Sequence, residues 1–156
     1  MYDLVSDELK SKASEMGFKK YLSEKDVKIK QGGSLELNRK IVRTKGVQVL
    51  LDPVSFTKEF DTAVAQIAKD NNVSIAFSLN SVLNLKGVSQ VLYLRNLKEA
   101  VKICLKQKNN ILICSNARDE SRLKDANVLI GFGMFLGMSK PQAKWSLNQA
   151  YEPYVH

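Results

Sequence analysis

The sequence predicts an α/β domain built on a parallel sheet of about six strands, and three observations favour it. Short apolar runs alternate with amphipathic helical stretches along all 156 residues. Hydrophobic residues make up 44% of the chain and charged residues 26%, the balance of a globular domain that buries its own core. No proline- or glycine-rich linker interrupts the pattern, so we expect one domain over residues 1–156.

The alternation leaves two architectures open. Parallel neighbours need helical crossovers, so either an open doubly wound sheet or a barrel would satisfy the pattern. A complete eight-fold barrel takes about 250 residues. A barrel of this length would therefore be shortened or incomplete.

The first third of the chain contains four strand candidates and two helices. Ser6, followed by two acidic residues, predicts the start of the first helix, which Gly17 ends. An apolar stripe over residues 37–42 predicts the second helix, which stops at Gly46. The strand candidates are residues 2–5, 18–22, 27–30 and 47–51.

The remaining two thirds predict two more strands, at residues 73–79 and 111–114, and four helices. Ser139 at an N-cap position, with Gln142 three residues later, is typical of a capping box and places the start of the last helix. The other three helices are predicted over residues 56–70, 89–108 and 123–136.

The cellular setting is predicted from two features. No apolar run approaches the roughly 20 residues that span a bilayer, and the N-terminus is acidic and amphipathic rather than a secretory signal. Cys104 and Cys114 are the only cysteines and form no C-x-x-C pair, which favours buried reduced thiols. We expect a cytoplasmic protein with no membrane partner.

Catalytic chemistry has little support in the sequence. The single histidine is the last residue, His156, and Ser115 lacks a G-x-S-x-G elbow. Asp3 and Asp52 could form a carboxylate pair of a metal-dependent phosphoesterase, although a structural role for Asp52, capping the turn before the next helix, is favoured. We expect no catalytic residue and no metal site.

Two glycine-containing segments resemble phosphate-binding motifs only superficially. Gly32, Gly33 and Ser34 follow a strand and precede a helix, which could present N–H groups to a phosphate, but no Walker-type lysine follows. The glycines of residues 131–137 lie inside an apolar helix, where close helix packing explains them better. An ordinary turn and a packing contact are the favoured interpretations.

The polar signal is basic, since the chain carries a net charge of +8. A basic excess attracts polyanions such as RNA, although a solvated charged face has the same composition. Two groups are candidates for phosphate contacts, the second on the rim where the strands of a barrel end. The first group is Lys28, Lys30, Arg39, Lys40, Arg43 and Lys45, and the second is Arg118, Arg122 and Lys124.

Four segments in fixed order carry a family resemblance: VQVLLDP at 47–53, DTAVA at 61–65, NVSIAFSLN at 72–80 and GMSKPQAK at 137–144. Together they resemble ribonuclease P protein component 3, the archaeal and eukaryotic barrel-like subunit of the RNA enzyme that removes 5′ leaders from precursor tRNA. The ordered match runs from about residue 27 to residue 147, and this chain looks like a compact version of the family.

The resemblance implies an incomplete TIM-like barrel of the polymerase-and-histidinol-phosphatase-like type without its metal ligands. It implies a non-catalytic subunit whose RNA performs the cleavage and holds the Mg²⁺, so the chain itself binds no cofactor. Its partners would be the ribonuclease P RNA and component 2, a small ferredoxin-like subunit, in a two-plus-two heterotetramer, with precursor tRNA contacted indirectly. A free-standing RNA-binding protein is the further alternative.

Positions carried over from the family add to the RNA-binding candidates. Arg39 matches a basic residue in the helix after the Gly-rich turn, while Ser115, Asn116 and Ala117 match a small polar loop after the penultimate strand. The chain departs from the family at Asn80, where arginine is common, and lacks a histidine often found near residues 60–62. Part of the family's RNA surface is therefore expected to be missing.

Overall fold

Six parallel strands form an incomplete barrel in the computed structural model, which describes residues 1–155. Strands β3, β4, β5 and β6 are neighbours in that order, and β1 pairs with β2. A parallel bridge between Val5 and Ala117 joins β1 to the segment after β6. The strands are β1 Tyr2–Leu4, β2 Lys20–Leu22, β3 Ile29–Gln31, β4 Val49–Leu51, β5 Ser74–Ser78 and β6 Ile111–Cys114. The predicted α/β class and shortened barrel are confirmed.

Six α-helices within residues 1–155 connect and cover the strands. They are α1 Leu35–Arg43, α2 Thr62–Asp70, α3 Leu79–Leu83, α4 Gly87–Gln107, α5 Ala126–Phe135 and α6 Lys140–Ser146. Short 3-10 turns occupy Asp7–Lys12, Ser14–Met16, Glu120–Arg122 and Gln149–Tyr154. Among these residues no helix is both long and apolar enough to span a membrane.

The predicted first helix is wrong, because residues after β1 form two 3-10 turns instead. Ser6 does not cap a helix: its backbone N–H donates to the Ala117 carbonyl at 2.8 Å, and its hydroxyl donates to the Arg118 carbonyl at 3.4 Å. Ser6 is thus used to attach this segment to the loop after β6. Gly17 does end the second turn, with φ of 80°.

Several other boundaries differ from prediction by one to three residues, including the starts of β2, β3, β4, α4 and α5, and the helix expected over residues 56–70 differs most. The helix expected over residues 56–70 begins only at Thr62, because the Asp61 side chain accepts the Val64 N–H at 2.8 Å and sets the N-cap there. The strand expected through Leu79 ends at Ser78, and the short α3 follows. The capping box of the last helix is confirmed, with Ser139 and Gln142 bonded reciprocally.

The barrel interior is filled by alternate strand residues. The 3-10 turn Gln149–Tyr154, here called the C-terminal turn, covers the end of the barrel where the strands begin, which we call its lower end. The Tyr151 hydroxyl donates to the Ile113 carbonyl at 2.8 Å, and the Tyr154 hydroxyl meets the Ser74 hydroxyl. Tyr151 has no exposed surface. The strand residues of this cluster are Leu4, Leu22, Val49, Leu51, Ala76, Leu112 and Cys114. Cys104 and Cys114 are buried and unpaired, as predicted.

The barrel is open between β2 and β3, which are not paired with each other among residues 1–155. Parallel strands pair through a crossover of a dozen or more residues. Here only residues 23–28 connect them, and no helix lies between. Val27 in this connection is buried in the interior cluster, so the connection itself lines the gap. The missing crossover is the physical reason that the barrel stays incomplete.

Candidate nucleic-acid interface

The second basic group lies in the loop after β6, on the rim where the strands end. Arg118 and Arg122 are exposed, and Lys124 is half-buried. The loop folds back through the 3-10 turn Glu120–Arg122 before α5 begins. Arg118 also lines a cavity of about 230 Å³ beside the open side of the barrel. The rim therefore presents guanidinium groups to solvent beside a concave surface.

A buried carboxylate holds the start of this loop. Asp3 on β1 accepts the Ser115 N–H at 2.6 Å and the Ser115 hydroxyl, and the Asn116 N–H donates to the Leu4 carbonyl at 3.0 Å. Burial raises the pKa of Asp3 to about 7, although both Ser115 hydrogen bonds act in the opposite direction. Asp3 is therefore a positioning group that attaches the loop to β1.

The two small polar candidates occupy different environments. Ser115 has no exposed surface and its hydroxyl is bound to Asp3, so the expectation that it lies on an RNA-binding surface is corrected. Asn116 is half-buried, lines the cavity and has φ of 51°, in the left-handed region that asparagine tolerates. Of this pair, Asn116 alone faces the cavity.

Asn80 secures the far end of the same loop. Its Nδ2 donates to the Ser115 carbonyl at 2.8 Å and to the Arg122 carbonyl at 3.0 Å, while only 5% of the residue is exposed. The family resemblance predicts only that position 80 lacks an arginine. The structure gives Asn80 a structural role, because its side-chain amide joins the two ends of residues 115–122, the arginine-bearing loop.

Asp52 does not pair with Asp3, since each carboxylate has its own serine partners. Asp52 accepts the Ser78 N–H at 2.8 Å and the hydroxyls of Ser78 and Ser81, each at 2.6 Å. Burial raises its pKa. The expectation that Asp52 caps the turn before the next helix is wrong. The Asp52 carboxylate bonds to the end of β5 and to α3 instead, and Asp61 caps the next helix along the chain.

Residues 1–155 include no cluster of three or more His, Cys, Asp or Glu side chains with the geometry to hold a metal ion. His156 lies outside the described residues. The phosphoesterase alternative, which needs several such ligands in one place, gains no supporting contact from Asp3 or Asp52.

The Gly-rich turn uses its amides internally. The Gly33 N–H donates to Asn38 Oδ1 at 3.0 Å, and the Leu35 N–H donates to Glu59 Oε2 at 2.7 Å. Asn38 is fully buried and its Nδ2 reaches the Pro53 carbonyl at 2.9 Å. With these donors occupied, the turn matches the favoured interpretation of an ordinary structural turn.

The first basic group surrounds α1 and the start of β3. A groove of about 630 Å³ on the outer face of α1 is lined by three of its members, Arg39, Lys40 and Arg43. Arg39 is committed to an ion pair, since its Nη2 lies 2.8 Å from Asp61 Oδ2. Among residues 1–155 the other basic candidates form no salt bridge, and these are Lys28, Lys30, Lys40, Arg43, Lys45, Arg118, Arg122 and Lys124.

The two basic groups are not brought together. Lys28 directly precedes β3 and Lys45 precedes β4, so both lie where strands begin, whereas Arg118 and Arg122 follow β6. In a parallel barrel these are opposite rims. The positive charge is therefore distributed over two ends of the molecule and the outer face of α1.

A separate apolar face lies on α5 and α6. Val128, Met134, Phe135 and Trp145 are each more than 40% exposed, and Lys98 on α4 lies 4.0 Å from the centre of the Phe135 ring. Since the opposite side of α5 is also apolar and buried, the helix is hydrophobic all round, which is typical of a helix covered on both sides.

The predicted glycine packing on this helix is confirmed at one position. A Cβ on Gly133 would lie 3.0 Å from the Ala143 Cβ of α6, whereas one on Gly131 would meet nothing within 4 Å. Gly133 therefore lets α5 and α6 approach closely, while Gly131 belongs to the exposed side.

Comparison with known proteins gives one consistent family. The family model described as RNase P subunit p30 matches residues 4–153. Ribonuclease P protein component 3 of Thermococcus kodakarensis is 30% identical over 120 residues, covering 76% of this chain and 54% of the relative. The corresponding protein of Methanococcoides burtonii is 29% identical over 133 residues, covering 83% of this chain and 54% of the relative. The chain thus spans about half the length of these relatives.

Solved structures share the fold. A chain in the cryo-EM structure of archaeal ribonuclease P with mature tRNA matches with a TM-score of 0.72 and 21% identity, covering 97% of this chain and 65% of that one. An amidohydrolase crystal structure matches with a TM-score of 0.58 and 10% identity, covering 92% and 34%. At these identities the matches establish a barrel-like architecture.

Proposed function

Because the chain belongs to the RNase P subunit p30 family, we propose that it is a non-catalytic subunit of ribonuclease P that binds and braces the catalytic RNA. The reaction served is removal of the 5′ leader from precursor tRNA. The observation that carries the proposal is the family match over residues 4–153, nearly the whole chain. The structural match to a chain of archaeal ribonuclease P supports the same assignment.

The proposed contribution of this chain is electrostatic. Arg118 and Arg122 are exposed and without salt bridges among residues 1–155, so their charge is available to RNA phosphates. Asp3 and Asn80 hold the loop that carries them, which lowers the conformational entropy lost on binding. The cleavage itself, and the Mg²⁺ it needs, are assigned to the RNA.

We assign a protein partner to the apolar face of α5 and α6. The proposed occupant is component 2, the small ferredoxin-like subunit, in a two-plus-two assembly. Exposed apolar side chains such as Met134, Phe135 and Trp145 are typical of protein interfaces, because aromatic residues and methionine are enriched there. RNA would instead favour the cationic rims, so the two partners would use different surfaces.

The test is reconstitution of precursor-tRNA cleavage from the cognate RNA and protein subunits at limiting Mg²⁺. Omitting this chain is expected to lower the cleavage rate, and adding it back is expected to restore the rate. Replacing Arg118 and Arg122 together by glutamine should raise the concentration of chain needed for half-maximal stimulation. A cleavage rate that does not change when the chain is omitted would overturn the proposal.

A matched control is the double substitution Arg95→Gln and Lys106→Gln on α4, at two positions that lie away from Phe135 and the proposed protein interface. It removes the same charge from exposed positions outside the arginine-bearing loop. Stimulation is expected to need little more of this variant than of the unmodified chain. Equal losses in the two double variants would mean that net charge alone, and not the loop, accounts for the effect.

A further inference from the structure

A groove of about 620 Å³ lies at the rim where the strands begin, below the barrel. Its walls come from the segments that enter β4, β5 and β6 and from the C-terminal turn, and they include Gln48, Lys69, Asn72, Lys108 and Tyr154. We propose that this groove is a second RNA-binding site that takes the phosphodiester backbone. The proposal deepens the proposed function, on which it rests for the identity of the polyanion.

The charge of the groove is the first support. Lys69 and Lys108 line it, Lys28 Nζ lies beside its wall residue Gly46, and Lys45 directly precedes Gly46. Among residues 1–155 none of these four lysines forms a salt bridge. Several unpaired ammonium groups around one concavity raise the local positive potential, which is what a phosphate chain requires.

The acidic neighbours do not cancel this charge. Asp70 follows Lys69 in sequence and is exposed; its carboxylate accepts the Gln66 amide at 2.8 Å and, among residues 1–155, forms no salt bridge with a lysine of the groove. Glu152 is exposed next to the wall residue Pro153. Lys28, Lys69 and Lys108 against these two carboxylates leave a net positive groove, and Lys45 precedes its wall residue Gly46 in sequence.

Helix termini explain only part of the lysine pattern. Helices α2 and α4 end at this rim, where cations complement the negative end of the helix dipole. Lys69 fits that explanation, because its Nζ donates to the Gln107 carbonyl at 3.0 Å. Lys28 does not, since it enters a strand, and Lys108 takes a φ of 58° where glycine or asparagine is the usual residue.

Neutral amides supply the second support. Asn72 is exposed with φ of 55°, and among residues 1–155 its side chain has no hydrogen-bond partner. The Gln48 side chain uses only its oxygen, which accepts the Lys28 N–H at 2.9 Å and leaves the Nε2 donors free. Amide donors between lysines match phosphate and ribose oxygens, which are the groups contacted without regard to base sequence.

The site would place RNA contacts at both ends of the barrel. The arginine-bearing loop lies where the strands end and the groove lies where they begin, so one chain would hold two stretches of backbone. A scaffold that braces a folded RNA needs separated contacts of this kind, because a single contact fixes position but leaves orientation free.

The experiment measures binding of the full chain to a fluorescent 20-nucleotide polyuridine by anisotropy at several salt concentrations. The groove variant carries Lys28→Gln, Lys45→Gln and Lys108→Asn, while Lys69 is kept because it bonds to the end of α4. We expect the dissociation constant to be roughly tenfold larger. The slope of log affinity against log salt concentration should be smaller in magnitude by about 2, because three phosphate contacts are lost and each contributes about 0.7 for single strands. Thermal unfolding confirms that the variant is folded.

The matched control is Lys98→Gln with Lys102→Gln and Lys140→Gln, which removes three charges from exposed positions on α4 and α6. Its affinity and salt slope are expected to stay close to those of the unmodified chain. Unchanged binding by the groove variant, or an equal loss in the control, would overturn the groove site.

The reconstituted cleavage assay separates the two proposals. The groove variant could bind RNA and stimulate cleavage like the unmodified chain, while omission of the chain still lowers the cleavage rate. That result would overturn the groove site and leave the proposed function standing. If omitting the chain leaves the cleavage rate unchanged, the proposed function is overturned, whatever the anisotropy shows.

Discussion

Asp3 and Ser115, 112 positions apart in sequence, are joined by two hydrogen bonds from the serine N–H and hydroxyl to one carboxylate. The pair connects β1 to the end of β6, beside the bridge between Val5 and Ala117. It therefore closes the sheet on one side of the barrel and sets where the arginine-bearing loop begins. The Asp3 carboxylate, a candidate catalytic group in the sequence, therefore connects two strands of the fold.

The buried Asp3 predicts an unusual pH dependence of stability. Its folded pKa of about 7 exceeds the ordinary value of 3.8, so the folded state binds the proton more tightly. The free energy of unfolding should therefore fall as pH rises from about 4 to 7, with Asp52 acting in the same direction. Urea unfolding at pH 5 and pH 8 measures the difference, and Asp3→Asn should reduce it. An identical difference in this variant would rule Asp3 out as the source.

Asp7 provides the opposite control. Its pKa is lowered to about 2, chiefly by the hydrogen bond from Lys25. Its contribution is present above the unfolded pKa and is lost only as pH falls from about 4 toward 2, outside the Asp3 window. Asp7→Asn should therefore leave the difference between pH 5 and pH 8 unchanged.

Gly32→Ala is predicted to destabilise the fold by about 1–3 kcal/mol. A Cβ at this position would lie 2.5 Å from Asn38 Oδ1 and 2.8 Å from the Pro53 Cα, so the buried asparagine network would have to shift. Gly33→Ala is the matched control, because a Cβ there meets nothing within 4 Å. Urea unfolding should show the loss in the first variant and much less in the second; equal losses would contradict the clash.

Asn80→Ala should cost about 1–3 kcal/mol in the free energy of unfolding, because the Arg122 carbonyl loses its donor and the Ser115 carbonyl keeps only the longer bond from the Asn80 backbone N–H at 3.3 Å. It should also weaken RNA binding by freeing the arginine-bearing loop. Unfolding and anisotropy measured on the same variant test both effects. Asn84→Ala, an exposed neighbour, is expected to change neither. A stable Asn80→Ala variant with normal affinity would show that the loop holds itself.

Phe135→Ala is predicted to weaken association with component 2 while leaving RNA affinity unchanged. The Phe135 side chain is 54% exposed, so its removal takes little from the core. Phe56→Ala is a matched control, since Phe56 is 49% exposed and lies in the connection between β4 and α2. Pull-down with purified component 2 should lose the first variant and retain the second. Retention of both variants would remove α5 from the proposed interface.

Much of the secondary structure could be predicted because its signals are local. The Ser139 capping box and the apolar run of β6 each depend on side chains a few positions apart, and both lie where predicted. The first helix failed for the opposite reason. Ser6 has the local features of an N-cap, but Ala117 and Arg118 occupy its hydrogen-bonding groups.

The candidate site divides in the same way. The basic residues could be identified from the sequence, because their charge depends only on residue type. The ion pair between Arg39 and Asp61 could not, because it depends on the fold. The groove below the barrel was missed, because Lys69 and Lys108 lie 39 positions apart in separate helix ends that only the sheet order brings together.

By itself, the sequence determined the alternation of strands and helices, the parallel α/β class, the excess of positive charge and the order of the family segments. These follow from spacing along the chain and from composition. The tertiary structure decided that Asp3 and Asp52 bind serines on separate strands, that Asn80 joins the ends of a loop, and that positive charge divides between two rims. The physical reason is that a hydrogen bond or an electrostatic potential depends on distance in space, and the fold sets that distance between residues far apart in the chain.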